Sequence, residues 1–309
     1  MLPLRDIDAA AACALRESKS QWGEDLLLLP TLLHSLFASG RSKGVFLEMG
    51  ALDGVTFSNT FMLERCFGWR GFLVEANPTN AEALRKSVRN ATLIHSGVCR
   101  PAGAINMTVG GWHVAGQVGA MSAQHRAKWA KLNNSSGIVS VPCQPLADVL
   151  QNARNTFHLR ERDDAHSLPP LPPLRPRWRT TEVGSIDFFS LDVEGAEEHV
   201  LLASEMETFR TVLVELDNSY PARDTRIRLL LEASGLHPVH NLSQISQSTF
   251  FTRARTKTVP VREPHVRMGR IARQYHRFRP THSNMVSVLR EVAATLPRAN
   301  NFSFPPYVN

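Results

Sequence analysis

Short apolar runs separated by longer mixed segments dominate the middle of the chain. A strand covered on both faces is almost continuously apolar, whereas a helix packed on a sheet shows apolar residues every three or four positions. Apolar runs predict strands at 45–47, 72–75, 92–98, 104–109, 138–141, 186–191 and 211–215, and an antiparallel pair at 237–239 and 248–252. The segments between them predict helices at 77–88, 146–155 and 226–234. This alternation predicts an α/β fold with a doubly wound, mostly parallel sheet that ends in an antiparallel hairpin.

Composition divides the chain into three predicted regions. Residues 1–40 are expected to be helical, with an alanine-rich start and a leucine-rich second half. Residues 41–252 hold the alternating strands and helices. They are interrupted by a proline-rich insertion at 160–180, which can neither continue a helix nor join a central strand. Residues 253–309 form a basic C-terminal extension.

The net charge of +7 is concentrated in that extension. Residues 253–309 carry 11 Lys and Arg against two acids, whereas the remaining 252 residues carry 24 basic and 26 acidic groups. The extension could meet phosphates, an anionic membrane surface or an acidic partner, or could fold over the main domain as a solvated arm. Few aromatic residues interleave with its arginines, so no dedicated nucleic-acid module is expected. The insertion contains Pro170-x-x-Pro173-x-Arg175, which fits the ligand pattern of SH3-type domains, although such matches often arise by chance.

The first predicted strand breaks into a glycine-rich turn, Glu48-Met-Gly50-Ala-Leu-Asp53-Gly54, and Glu75 follows Gly54 by 21 residues at the end of the next strand. A strand, a glycine turn, a helix and a strand ending in an acid is an arrangement that holds nucleoside cofactors, with the acid on the ribose hydroxyls. The glycine spacing is not the dinucleotide fingerprint, and Glu48 and Asp53 would repel a pyrophosphate but suit a cation. The motif therefore favours S-adenosylmethionine, which carries a sulfonium and an ammonium. An NAD-dependent oxidoreductase is the weaker alternative.

The predicted cofactor residues follow from this motif. We assign the methionine end of the cofactor to the glycine turn and the ribose diol to Glu75, while Asn77 borders the adenine. The predicted cofactor-binding residues are Glu48, Gly50, Ala51, Asp53, Gly54, Glu75, Ala76 and Asn77. Carboxyl ends of parallel strands meet at one edge of a sheet, so acids at four strand ends are expected to converge on one crevice. These acids are Glu48, Glu75, Asp192 and Glu215.

A second acidic motif, Asp192-Val-Glu194-Gly-Ala-Glu197, follows the strand at 186–191. Acids beside a core are costly unless a cation or a hydroxyl meets them. Glu197 is also explained as an acid in the first turn of a helix, whereas Asp192 and Glu194 precede that helix and are predicted site residues. An alcohol acceptor must lose a proton, so Asp192 or Glu194 is the first candidate for a general base and His113 the second. Asp217 is assigned to the acceptor side.

These motifs together resemble the FkbM family of S-adenosylmethionine-dependent methyltransferases. The resemblance covers residues 20–252 and depends on segments that occur in the family's order: 46–54, Ser58-Asn-Thr60, Leu63-Glu-Arg65, Gly68-Trp-Arg-Gly71, 73–78 and 191–197. It implies a class I methyltransferase fold, with a Rossmann-like sheet, and O-methylation of a hydroxyl on a sugar, lipid or polyketide-like acceptor. The segments at 58–60, 63–65 and 68–69 are also similar to the animal Star-type branch, which is associated with secretory and endosomal trafficking. A non-catalytic trafficking protein is therefore the alternative.

The cysteines and the asparagines bear on metal binding and on the compartment. Cys13, Cys66, Cys99 and Cys143 show no C-x-x-C and no metal-ligand spacing, so no metal site is predicted and the redox compartment stays open. Six asparagines head N-x-S/T, where chance gives about two; they are Asn90, Asn106, Asn133, Asn134, Asn241 and Asn301. They indicate an ER or Golgi lumen, whereas no apolar segment long enough for a membrane span and no convincing signal peptide is present. The two cues conflict.

Overall fold

The computed structural model describes residues 4–109, 112–133, 137–152, 186–239, 247–253 and 279–294. Its helices are α1 (Leu4–Glu17), α2 (Glu24–Ala38), α3 (Phe61–Phe67), α4 (Pro78–Arg85), α5 (Ala123–Asn133), α6 (described over 146–152), α7 (Glu197–Leu202), α8 (Pro221–Ala233) and α9 (His282–Ala294). Its strands are β1 (Val45–Met49), β2 (Arg70–Glu75), β3 (Thr92–His95), β4 (Gly97–Val98), β5 (Gly103–Thr108), β6 (Ile138–Gln144), β7 (Phe188–Leu191), β8 (Thr211–Glu215), β9 (His237–Pro238) and β10 (Ser248–Thr252). The predicted proline-rich insertion at 160–180 and most of the predicted extension at 253–309 lie outside the described residues.

Seven strands form one mixed sheet in the order β3-β2-β1-β7-β8-β10-β9. The pairs among β3, β2, β1, β7 and β8 are all parallel, while β10 runs antiparallel to β8 and to β9. The predicted α/β class, the mostly parallel sheet and the antiparallel pair at its end are therefore confirmed. The chain proceeds from β1 to β2 on one side and returns through β7 on the other. Such a reversal of strand order creates a crevice outside the carboxyl ends of the strands, here those of β1 and β7.

Apolar cores cover both faces of this sheet, because successive residues of a strand point to opposite sides. Phe46 of β1 belongs to one core and its neighbour Leu47 to the other. The first core also holds apolar side chains of α1, α2 and α9, and the second those of α6, α7 and α8. The helical segment predicted at 1–40 therefore packs directly on one face of the sheet.

A second sheet of three strands, in the order β4-β6-β5, stands beside the first. The single strand predicted at 92–98 is wrong, because the chain leaves the large sheet after β3 and joins β6 through β4. Gly97 permits this passage: a Cβ there would lie 2.6 Å from Cδ1 of Ile105 and 2.9 Å from Cβ of Cys143. The small sheet brings β5 and the loop that follows it over the crevice.

The predicted helices are observed, but their ends differ from the prediction. Asn77 caps α4 by accepting a hydrogen bond of 2.9 Å from the amide of Thr79, and the helix ends at Arg85 and not at residue 88. α8 begins five residues before the predicted start at residue 226. The pattern predicts neither α5 nor α9. α9 falls in the predicted basic extension, yet it buries Met285 and Leu289 against the first core.

Two disulfides join all four cysteines. Cys13 of α1 bonds Cys66 of α3, and Cys99 bonds Cys143 of β6. They close loops with sequence separations of 53 and 44 residues, and loops of this length stabilise a fold by about 3–4 kcal/mol each. The first disulfide fastens the N-terminal helices to the segment after the glycine turn.

Within the described part of the chain, no helix has the length and apolar character needed to cross a membrane.

Candidate active site

A cleft opens at the carboxyl ends of β1, β2 and β7, under the loop that follows β5. Eight of the eleven predicted site residues line it: Glu48, Gly50, Ala51, Glu75, Ala76, His113, Asp192 and Glu194. The other three, Asp53, Gly54 and Asn77, are absent from its wall. The expected convergence is observed for Glu48, Glu75 and Asp192, and Glu215 lies next to Asp192 in an adjoining recess.

The glycine turn after β1 is shaped by contact with the end of β7. Gly50 has φ +77°, and a Cβ on it would lie only 1.7 Å from the carbonyl oxygen of Asp192. The amides of Gly50 and Ala51 both donate to the carbonyl of Val74, at 3.1 and 3.2 Å. These two amides therefore join the turn to β2.

Glu48 is buried in the cleft wall, and its carboxylate organises the segment after the turn. Its Oε2 accepts from the hydroxyls of Ser58 (2.7 Å) and Thr60 (2.6 Å), and its Oε1 accepts from the amide of Asn59 (2.7 Å). The predicted contact of Glu48 with the methionine end of a cofactor remains a prediction, since a carboxylate has about four acceptor positions. Its structural work is to hold residues 58–60 against β1.

Arg89, which sequence reasoning missed, supports the same segment from behind. Its guanidinium donates to the carbonyl of Gly54 (2.7 Å), to the hydroxyls of Ser58 (3.0 Å) and Thr60 (2.8 Å), and to Glu64 (3.1 Å). The side chain is fully buried. A buried guanidinium shared among carboxylates and carbonyls fixes a loop in one geometry. No local pattern around residue 89 indicates this role, because the partners are 25 to 35 residues away.

Glu75 lies at the end of β2, as predicted, and is held in place by backbone amides. Its Oε2 accepts from Leu52 (2.8 Å) and its Oε1 from Asn77 (2.7 Å). Burial raises the pKa of Glu75 to about 7, against the opposing effect of these amide hydrogen bonds. The two amides therefore fix the carboxyl group at the wall of the cleft, and its contact with a ribose diol stays a prediction.

The three predicted residues outside the wall have local structural roles. Asp53 closes its own turn by accepting from the amides of Val55 (2.9 Å) and Thr56 (2.7 Å). A Cβ on Gly54 would lie 2.7 Å from Cδ1 of Leu84, so this glycine allows α4 to approach. Asn77 caps α4 and donates to the carbonyl of Thr108 at 3.3 Å. Turn and cap geometry uses the side chains of Asp53 and Asn77, and contact of the three residues with a ligand stays a prediction.

Carboxylates from the ends of β7 and β8 crowd the opposite side of the cleft. Burial, followed by repulsion from Asp192, raises the pKa of Glu194 and of Glu215 well above their ordinary values. The pKa of Asp192 is also raised, first by burial, although its side chain is open to the cleft. One carboxylate oxygen each of Asp192, Glu197 and Glu215 lies within 4.8 Å of the other two. In the described part of the chain, these three acids are the one group spaced closely enough to bind a metal ion. The sequence-based expectation that the protein has no metal site stays a prediction.

Glu197 differs from the other acids of this group, since structural contacts already use its carboxylate. Its Oε1 accepts from the amides of Val193 (3.1 Å) and Gly195 (3.0 Å), and its Oε2 lies 3.4 Å from Nη1 of Arg223. The interpretation as a first-turn helix acid therefore accounts for it. Asp192 and Glu194 remain the acids that face the cleft.

Two histidines lie near these acids. His113, predicted from the loop, lines the cleft, and its ring meets those of Phe57 and Trp129 edge-on, with centroids 5.8 and 6.3 Å apart. Burial lowers its pKa, although Asp192 opposes this. His125, which sequence reasoning missed, places Nδ1 3.4 Å from Oε2 of Glu194. It belongs to α5, whose polar composition conceals both the helix and the histidine.

No protein-family model matches the chain, and a search of curated proteins finds no significant match. The geometry of the cleft and the sequence motifs therefore have to carry the functional argument.

Proposed function

We propose that this protein is an S-adenosylmethionine-dependent methyltransferase with a class I, FkbM-like domain, which transfers a methyl group to a hydroxyl of an acceptor. One observation carries the proposal: the carboxyl group of Glu75, held by two backbone amides, lines the cleft at the end of the strand next to the glycine turn. A carboxylate at this position of a doubly wound sheet is suited to the two hydroxyls of a ribose.

The charge of the cleft supports a cationic cofactor. Among the described residues that line it there is no lysine and no arginine, whereas Glu48, Glu75, Asp192 and Glu194 all contribute carboxyl groups. The ionised carboxylates among these acids would repel a pyrophosphate, which argues against NAD. The sulfonium and ammonium of S-adenosylmethionine would find compensating charge. An apolar wall that includes Val98, Ile105 and Met107 offers a surface for the adenine.

The chemistry expected of this cleft is an in-line displacement. The acceptor oxygen attacks the methyl carbon as the bond from that carbon to sulfur breaks, so alignment of the two reactants supplies much of the acceleration. The acceptor proton must leave, and Asp192 and Glu194 are the carboxyl groups at the open side of the cleft that can take it. Their raised pKa values bring them closer to the pH at which a base is effective.

Calorimetric titration with S-adenosylmethionine, S-adenosylhomocysteine and NAD tests the proposal. The wild-type protein should bind the first two and not NAD. Glu75→Gln should weaken binding of the methyl donor at least tenfold, because the amide replaces an acceptor with a donor at the diol. Glu82→Gln is the matched control, since Glu82 is an exposed acid on α4. Absence of heat with the methyl donor would overturn the proposal and favour the non-catalytic trafficking hypothesis, whereas heat with NAD would favour an oxidoreductase.

We also propose that the protein resides in an oxidising compartment such as the ER or Golgi lumen. The pairing of all four cysteines supports this, because disulfides persist mainly where the environment is oxidising. Two of the sequon asparagines, Asn90 and Asn106, are exposed. Native protein from its source cells should resist thiol alkylation until reduced, and should gain mobility after enzymatic removal of N-glycans. Free thiols in the native protein would contradict the assignment.

A further inference from the structure

His125 and Glu194 meet at the acceptor side of the cleft in an arrangement that requires a proton. Nε2 of His125 lies 3.1 Å from the carbonyl oxygen of Val114. A carbonyl can only accept, so Nε2 carries a hydrogen and the neutral ring has a bare Nδ1. That Nδ1 lies 3.4 Å from Oε2 of Glu194, which is a contact between two acceptors unless a proton lies between them.

We propose that Glu194 and His125 share one proton and act as a single proton-accepting unit, in which Glu194 contacts the acceptor and His125 is its positioning residue. The inference rests on the proposed methyl transfer and deepens it. Glu194 lines the cleft, whereas His125 stands behind it on α5 and is absent from the wall. The histidine therefore acts on an acceptor through the glutamate and not by direct contact.

The backbone holds the glutamate toward the histidine. Glu194 has φ +56°, in the left-handed region that non-glycine residues seldom adopt, and Gly195 follows with φ +104°. A Cβ on Gly116 would lie 3.0 Å from Cβ of Glu194, so the loop that carries Val114 packs directly against the glutamate. Strained backbone of this kind persists where the surroundings fix a functional side chain. The loop therefore positions both partners of the pair.

Charges around the pair favour retention of the proton. Asp192 and Asp217 face both members, and Glu197 faces Glu194; these carboxylates raise the proton affinity of the pair. Lys128, on the same helix as His125, opposes them. Burial shifts the two partners in opposite directions, lowering the pKa of His125 and raising that of Glu194, so that the proton affinities of the two groups approach each other. Groups matched in this way titrate as a pair.

In the transfer, the unit takes the proton that the acceptor releases. The bond between the acceptor oxygen and the methyl carbon forms, and the bond between that carbon and sulfur breaks with its electron pair remaining on sulfur. The hydroxyl proton passes to the carboxylate of Glu194, where Nδ1 of His125 shares it. The unit must begin without this proton, so turnover should rise with pH through the apparent pKa of the pair.

Histidine NMR on the full chain tests the pair without requiring turnover. At a pH where His125 is neutral, its ¹⁵N shifts should show hydrogen on Nε2; hydrogen on Nδ1 instead would overturn the proposal. Glu194→Gln should lower the pKa of His125 by about one unit or more, because a neighbouring carboxylate stabilises the imidazolium. Glu82→Gln, at an exposed acid of α4, should leave the pKa of His125 unchanged and serves as the matched control. An unchanged His125 pKa would also overturn the proposal.

The kinetic arm separates positioning from structural support. His125→Gln should shift the acid limb of the pH profile of kcat by about one unit, and the KM for the methyl donor should change less than kcat. An equal loss of kcat at every pH would show that His125 has only a structural role, and would overturn its proposed role as the positioning residue of Glu194. Binding of S-adenosylmethionine to the wild type reports on the proposed function separately. If Glu194→Gln lowers the pKa of His125 but the wild type does not bind S-adenosylmethionine, the proton-sharing pair is supported and the methyltransferase proposal is overturned.

Discussion

Replacement of Gly50 by alanine probes the contact on which the cleft depends, the approach of the glycine turn to the end of β7. A Cβ at this position would lie 1.7 Å from the carbonyl oxygen of Asp192 and 2.9 Å from its carbonyl carbon. Both obstacles are backbone atoms of a central strand end, so no side chain can move to relieve the overlap. The ends of β1 and β7 would have to separate by more than an ångström.

Alanine substitutions at two other glycines separate the two contributions to the expected loss of stability, the positive φ and the steric overlap. Gly40 shares the positive φ, at +73° against +77° for Gly50, but a Cβ added there would have no neighbouring atom within 4 Å. Gly103 has neither the positive φ nor a neighbour within 4 Å. Gly40→Ala should cost about 1 kcal/mol of unfolding free energy, and Gly103→Ala should change it by less than about 0.5 kcal/mol. Gly50→Ala should cost at least about 3 kcal/mol, since overlap adds to the backbone strain.

Urea denaturation of the three variants and the wild type, followed by circular dichroism, measures these differences. Calorimetric titration with S-adenosylmethionine then reports on the cleft in any variant that stays folded. Gly50→Ala should lose binding, whereas the other two variants should retain it. If Gly50→Ala proves no less stable than Gly40→Ala, the close approach of the two strand ends does not exist and the geometry of the cleft is wrong.

Three further predictions concern the frame of the cleft. Cys13→Ser should lower the unfolding free energy by about 3–4 kcal/mol, and this difference from the wild type should vanish in reducing buffer; a loss that persists under reduction would contradict it. Arg89→Met should cost about 3–5 kcal/mol because it leaves the buried Glu48 and Glu64 uncompensated, as urea denaturation can measure against the exposed control Arg85→Met. Burial raises the pKa of Glu24 from 4.5 to about 7, so the folded state binds this proton more tightly than the unfolded state. The free energy of unfolding should therefore fall as pH rises between these two values. Glu24→Gln should reduce this dependence on pH, and an unchanged dependence would refute the raised pKa of Glu24.

Strand periodicity allowed most of the large sheet to be predicted. The run at 211–215 coincides with β8, because a buried parallel strand is apolar from end to end and needs no tertiary information. The strand predicted at 92–98 failed for the opposite reason. The chain changes sheets at Ser96, and the apolar pattern continues across the change since both strands are packed. Pairing partners, and not local hydrophobicity, decide where such a strand ends.

Long-range partners explain what the sequence could not show of the site. Acids at strand ends were located correctly, because the carboxyl edge of a parallel sheet is determined by strand direction alone. The local role of Asp53 was not predicted: its carboxylate accepts hydrogen bonds from the amides two and three residues ahead. Arg89 and His125 carry no motif, and each gains its role from residues distant in the chain.

The raised pKa values and the proposed cofactor are linked through charge. In the protein without a ligand, burial and neighbouring carboxylates raise the pKa values of Glu194 and Glu215, so part of the cluster carries protons. A sulfonium bound in this cleft, as the proposed function requires, would stabilise the ionised carboxylates and lower those pKa values. By linkage, binding of the proposed cation would release protons from these acids. The charge of the methyl donor would thus offset the burial that disfavours ionisation and leave these acids able to accept the proton of the acceptor.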